Sequence, residues 1–272
     1  MTEDVLSLQA AADELGVHYM TAYRYVRLGK LDAMKSGGVW QVRRADLDNL
    51  INSDRQQPAL KSTKAWDKQL EIVLLGGDEA AAWQVVEAAL ASGHEPSEIY
   101  SQMISPVLRD LGARWQRGEI DVADEHRASL TAARLVGRLS PRFNRRGRPK
   151  GTFVVAAAPD DFHSLAVMML SDRIRGAGYR TVDLGAAVPV ESLRRTVAET
   201  HPLTAVALAA FKPSNEASIR AAIAAARSAQ DVPIFLGGPA IDGPNHAKGL
   251  GATAYANSVE DALEILNQSS EG

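Results

Sequence analysis

The sequence predicts a multidomain protein of α and α/β type. The expected order is an N-terminal winged helix-turn-helix, a four-helix bundle and a C-terminal doubly wound parallel sheet of five strands. Three observations predict it. Residues 1–55 carry short helical signals followed by a basic stretch around Gly37-Gly38. Residues 66–140 read as almost continuous helix. Residues 151–272 alternate short apolar runs with helical stretches. Alternation of that kind is the pattern of a parallel sheet with helices on both faces. Two segments read as linkers: 56–65 (QQPALKSTKA), polar with Pro58, and 142–150 (RFNRRGRPK), with five basic residues and no acidic one.

In the first segment, Ser7 is placed to cap a helix over LQAAADEL, Gly16 to end it, and Val17 to fill the turn. A second helix is expected from about Met20 to Leu28. Two short helices around a Gly-containing turn make a helix-turn-helix. A strand, the Gly37-Gly38 turn and a second strand then form a wing, and a third helix is expected with Asp46 as its cap. Between Arg24 and Arg44 stand six basic residues (Arg24, Arg27, Lys30, Lys35, Arg43, Arg44) against one acid, Asp32. A basic face on an otherwise neutral segment is the footprint of phosphate binding, so double-stranded DNA is the expected partner. Thr21, Tyr23, Arg24 and Arg27 are assigned to the major groove, and Lys35, Gly37 and Arg43 to the backbone beside the wing. The patterns AADELGV, TAYRYVRLGKL and RRADL resemble the MerR/excisionase type of winged helix domain.

In the middle segment, Gly76-Gly77-Asp78, Gly93 to Ser97 and Gly118 to Val122 divide the run into four helices, giving an antiparallel bundle. Trp115 ends the third helix, and Glu125 and His126 open the fourth. Singly these read as a core tryptophan, a capping carboxylate and a surface histidine. Jointly, W-x9-E-H within LGARWQRGEIDVADEH resembles the cobalamin-cap bundle of the CarH/LitR-type regulators and corrinoid proteins. That resemblance implies that Trp115, Glu125 and His126 line the pocket over the upper corrin face, around an adenosyl group. An aromatic plane suits a nucleoside, and a carboxylate suits ribose hydroxyls. Where CarH proteins that form a bis-histidine adduct after light have a histidine next to the tryptophan, this chain has Gln116, an amide and a poor cobalt ligand.

In the last segment GTFVVAAAP, RTVDLGA, TAVALAAF, VPIFLGG and ATAYA are the expected strands. Ligands bind such sheets beyond the carboxyl ends of the strands. Neither a dinucleotide fingerprint nor a phosphate loop is present. The loop after the first strand carries Asp161 and His163, and a carboxylate there fixes an imidazole tautomer and raises its basicity toward a metal. The region resembles the Rossmann-like cobalamin-binding fold, with [DE]-x-H-x-x-G, then S-x-L, then G-G. Asp161, His163, Gly237 and Gly238 match. Ala166 stands for the first-motif glycine and Ala209 for the serine. The resemblance implies that His163 is the lower axial ligand of cobalt, and that Ala209, Gly237 and Gly238 border the displaced nucleotide tail.

Composition narrows the function classes. The chain has 272 residues, net charge −3 and no cysteine. Thiolate zinc sites, iron–sulfur clusters, thiol catalysis and thioether-tethered chromophores are therefore excluded. No apolar run reaches 18 residues and the acidic start lacks an apolar core, so neither a membrane span nor a signal peptide is expected, and the cytoplasm is the expected compartment. No residue set supports hydrolysis or phosphoryl transfer, and no enzymatic activity is expected. By resemblance, the expectation is a cobalamin-dependent, light-responsive transcriptional regulator. Adenosylcobalamin or another cobalamin would set self-association, as a dark tetramer in the resembling family, and thereby DNA binding. Alternatives are a sensor that holds a bilin non-covalently, a corrinoid methyl carrier, and a regulator that keeps the fold without a ligand.

Overall fold

The computed structural model describes residues 5–15, 19–27, 31–48, 63–212 and 216–270. The chain separates into two compact units, Met1–Ala65 and Trp66–Gly272.

In the first unit, strand β1 (Val5–Ser7) leads into helix α1 (Leu8–Glu14), followed by α2 (Tyr19–Arg27), β2 (Ala33–Ser36) and β3 (Val39–Arg43). Ser7 caps α1 as expected, its hydroxyl accepting from the Ala10 N–H at 3.1 Å. Gly37 and Gly38 both adopt positive φ, +59° and +83°, which a two-residue hairpin turn demands. The wing is therefore present as β2 and β3, and β1 adds a third strand that the sequence reading missed, in the order β1-β3-β2. Asp46 is not a cap: residues 44–48 are helical, so the chain passes from β3 into a helix that begins three residues before the expected start at 47. Leu8, Ala11, Ala12, Ala22, Leu31, Val42 and Leu47 form the core. Gly16 and Val17 lie outside the described residues.

In the second unit, α3 (Thr63–Gly76) and α4 (Glu79–Ala91) are followed by one unbroken helix. It runs through Pro96–Glu98, a π-helical stretch Ile99–Ile104, and α5 (Ser105–Gln116). Then comes α6 (Val122–Leu139). Asp78 and Asp121 cap α4 and α6, accepting from Ala81 N–H and Ala123 N–H at 2.9 and 2.8 Å. Thr63 to Ala65, expected in a linker, already belong to α3.

The α/β part comprises β4 (Thr152–Ala157), α7 (Ser164–Gly176), β5 (Arg180–Asp183), α8 (Val190–Glu199), β6 (Ala205–Ala209), α9 (Glu216–Ala229), β7 (Ile234–Gly237), α10 (Pro244–Gly249), β8 (Ala254–Tyr255) and α11 (Val259–Ser270). All five strands are parallel, in the order β5-β4-β6-β7-β8. The order reverses between β5 and β6, on either side of β4, which opens a crevice beyond their carboxyl ends. One sheet face packs Leu193, Val197, Ile219 and Ile223 of α8 and α9; the other packs Val167 and Ile174 of α7 and Val259 and Leu266 of α11.

Helix α7 joins the bundle to the sheet. Val167 and Ile174 face the strands, whereas Met169 completes the bundle core of Leu70, Val86, Met103, Leu111 and Leu135. The segment expected as a solvated linker is anchored at its start. Ser140–Phe143 is a 3-10 turn, and Phe143 is buried and stacked on Tyr100 at 4.9 Å. Burying one aromatic ring is enough to fix such a turn against the bundle.

Candidate functional site

The site grows from a parallel sheet whose strands end together. The loop after β4 carries Asp160, Asp161, Phe162 and His163; the chain after β6 carries Phe211 and Lys212; β7 ends in Gly237-Gly238. Asp161 is only 2% exposed. Its Oδ1 accepts from the His163 ring Nδ1–H at 2.6 Å and from the His163 backbone N–H at 3.1 Å. Its Oδ2 accepts from the Phe211 and Lys212 N–H groups at 2.6 and 3.1 Å. Burial by itself would push this carboxyl up. The donations from His163, Phe211 and Lys212 outweigh it and hold the acid at about 2, so it stays an anion.

That anion fixes the imidazole. With Nδ1–H directed at Asp161, the lone pair resides on Nε2, and the ring is 57% exposed beyond the strand ends. The Asp161 hydrogen bond raises the His163 pKa against the desolvation that lowers it. The charges of Asp161 and of Glu125, a bundle residue, raise it further. The Phe211 ring lies 5.0 Å from the imidazole and tilted by 30°. The adjoining backbone is held in an uncommon conformation: Asp160 and Ala187 have φ of +63° and +51°, and Ala187 N–H bonds the Asp161 carbonyl at 2.9 Å. Non-glycine residues in this region cluster where a site over-determines the backbone.

The two glycines are required for a reason internal to the chain. A Cβ on Gly237 would stand 2.0 Å from the Ala256 carbonyl oxygen, and one on Gly238 would stand 2.3 Å from that of Ala210. Close approach of strand ends, together with φ of +107° at Gly238, demands glycine here whatever lies beyond. Ala209 is buried at the end of β6, paired with Gly237.

The bundle residues are less tightly drawn together. Trp115, 44% exposed at the end of α5, lines an open cleft of about 600 Å³ with Gly118, Glu119, Ile120, Val122 and Asp124. Glu125 is three-quarters buried and accepts from Ser129 Oγ at 2.6 Å. His126 is 70% exposed and stands 3.7 Å from Glu125. The geometry therefore assembles Asp161, His163 and Phe211, with Glu125 within electrostatic range, and leaves Trp115 and His126 at the solvent edge.

In the first unit, Lys35 and Arg43 are exposed and Gly37 forms the wing turn. Tyr23, assigned to the groove, is half-buried, with its ring edge-on to Trp40 at 6.2 Å, so its body serves packing. The side chains of Thr21, Arg24 and Arg27 lie outside the described residues.

One polar cluster escaped the sequence reading. Asp172 of α7, 1% exposed, accepts from Tyr100 Oη at 2.6 Å and Ser140 Oγ at 2.9 Å, and pairs with Arg175, which also donates to Ser140 Oγ at 2.7 Å. Burial, and then the adjacent carboxylate, hold the Tyr100 phenol far above its usual range, so it remains a donor. Ser171 and Asp172 interrupting the apolar run of α7 were the available signal.

Comparison with known proteins agrees with this layout. Residues 66–140 and 151–267 each match a B12 binding domain, and residues 5–55 match a helix-turn-helix domain. The chain is 29% identical over 189 residues to the HTH-type transcriptional repressor CarH of Myxococcus xanthus, covering 68% of this chain and 61% of that protein. It is 24% identical over 191 residues to trimethylamine corrinoid protein 1 of Methanosarcina acetivorans, covering 68% of this chain and 88% of that protein. The solved monomethylamine corrinoid protein of Methanosarcina barkeri superposes with a TM-score of 0.65 at 18% identity, over 76% of this chain and 99% of that chain, which establishes a common fold.

The donor set fits a corrinoid. An exposed imidazole whose Nδ1–H is tied to a buried carboxylate offers one nitrogen lone pair, the ligand type that suits cobalt. Carrying both B12 binding domains behind a helix-turn-helix domain, the chain belongs to the B12-binding-domain proteins, in the combination that resembles the CarH-type regulators.

Proposed function

We propose that the protein is a cobalamin-dependent transcriptional regulator that works in the cytoplasm and binds double-stranded DNA through its wing and second helix. The observation that carries the reading is the presentation of His163 by the buried Asp161 carboxylate at the crevice beyond β4. In this reading His163 Nε2 would hold the cobalt, and Asp161 orients the imidazole and raises its basicity. Ala209, Gly237 and Gly238 border the nucleotide tail, while Trp115, Glu125 and His126 line the upper face. Adenosylcobalamin is the proposed form; when bound it supplies a cobalt–carbon bond that visible light breaks. The residues around the upper face then control self-association, and self-association controls DNA affinity. Gln116 stands where the resembling family has a histidine after the tryptophan, so a second imidazole to hold cobalt would have to come from elsewhere, with His126 the candidate.

The helix-turn-helix domain favours a regulator over a methyl carrier, the reading to which the corrinoid relatives lend support. A bilin in the same crevice would be held without a thioether, because the chain has no cysteine.

The test is a visible spectrum of protein purified with adenosylcobalamin in darkness, followed by size and duplex-DNA binding before and after green light. A cobalamin spectrum with light-dependent size and DNA affinity is expected. Light-insensitive size and binding would overturn the light response. A far-red absorbing species would replace cobalamin with a bilin. Methyl transfer to a partner methyltransferase without any DNA affinity would return the chain to the carriers.

A further inference from the structure

The basic segment between bundle and sheet has no part in the cofactor reading. Arg145, Arg146, Arg148 and Lys150 join Arg175 and Arg180 around a groove of about 690 Å³, and no acidic residue lines it. The groove lies at the amino-terminal edge of the sheet, where β4 and β5 begin; His163 lies beyond the other end of β4. Six strand residues separate the two edges by about 20 Å.

Half of these cations are held and half are not. Arg145 Nε donates to the Gly176 carbonyl at 2.7 Å, Lys150 sits 5.7 Å over the Tyr179 ring, and Arg175 is engaged with Asp172. Arg146, Arg148 and Arg180 are exposed and have no ion pair or side-chain hydrogen bond among the described residues. Six clustered cations repel one another, and the chain's net charge is −3, so bulk composition does not account for them.

We propose that this groove binds the phosphate backbone of double-stranded DNA, as a second contact separate from the wing. The proposal rests on the reading of the protein as a DNA-binding regulator. A small phosphate ligand would call for buried cations and converging backbone N–H groups. Here an extended arginine strap presents side chains to solvent, the arrangement that tracks a polyanion without reading its sequence. Its distance from His163 lets duplex and cofactor occupy the same molecule.

The test is binding of the full chain to a mixed-sequence duplex, read by fluorescence anisotropy across about 50–200 mM salt. The triple variant Arg146→Gln, Arg148→Gln, Arg180→Gln is compared with wild type and with Lys35→Gln in the wing. Neutralised phosphate contacts each contribute about 0.9 to the slope of log K against log salt, so the triple variant should bind with a slope shallower by about 2–3. Each single variant should lower it by about 0.9 with an unchanged melting temperature, which keeps the test independent of folding. An unchanged slope in the triple variant alongside a reduced slope in Lys35→Gln would overturn the groove and leave the DNA reading standing. No duplex binding by wild type would overturn both. Loss of inorganic tripolyphosphate binding in the triple variant, with the duplex slope intact, would assign the groove to a small polyanion instead and overturn the proposal.

Discussion

Two aspartates, Asp161 and Asp172, are almost wholly buried in the same unit, yet their surroundings set them to different work. Asp161 is satisfied by backbone N–H groups from two loops and by one imidazole that reaches solvent. Asp172 is satisfied by the side chains of Tyr100, Ser140 and Arg175, drawn from the π-helical stretch, the 3-10 turn and α7. The first arrangement leaves one imidazole nitrogen exposed. The second joins side chains from three elements and ties the bundle to the sheet domain. Burial alone does not distinguish the two acids; the source of their donors does.

Mutation should widen this contrast. The largest effect is expected from Asp172→Ala, which removes the acceptor that Tyr100, Ser140 and Arg175 share and leaves the Arg175 guanidinium without its counter-charge, and it should cost about 3–5 kcal/mol in urea unfolding. Asp161→Ala should leave the unfolding midpoint closer to wild type but weaken cobalamin affinity about 10–100-fold, the usual consequence of removing the partner of a metal-ligating histidine. If Asp161→Ala bound cobalamin normally and unfolded as readily as Asp172→Ala, the two acids would be equivalent and the comparison would collapse. Tyr100→Phe keeps the ring stacked on Phe143 and removes one hydrogen bond to a charged group, an expected loss of about 1.5–3 kcal/mol with an unaltered cobalamin spectrum. The smallest effect belongs to Ser7→Ala in the first unit. Losing that cap should cost about 1 kcal/mol, seen as weaker protection of α1 amides in hydrogen exchange, with cofactor binding untouched.

Legibility in the sequence followed the range of the interactions. The Ser7 cap and the Gly37-Gly38 turn act within a few residues, so they were readable directly. Asp46 misled because a capping residue type also suits a first helical turn, and β3 feeds that helix with no intervening loop. Phe143 was hidden in a run of arginines, and it is buried by partners far away in sequence, Tyr100 of the π-helical stretch and Gly176 of α7. Asp161 and His163 were legible as a pair two residues apart. The Phe211 and Lys212 N–H groups that hold Asp161 ionised were not, because any residue type supplies a backbone donor.

The sequence by itself determined the alternation that makes a parallel sheet, the division of the bundle at its glycines, and the pairing of a carboxylate with an imidazole after the first strand of that sheet. These rest on periodicity and short spacing, which are properties of the chain. Tertiary structure alone decided that β1 joins the wing, that Gly237 and Gly238 answer to the carbonyls of Ala256 and Ala210, and that Tyr100, Ser140, Asp172 and Arg175 meet between bundle and sheet. Each of these depends on atoms brought together across the fold, where the cost of leaving a buried polar group unpaired, or of crowding two backbones, is set by neighbours in space and not along the chain.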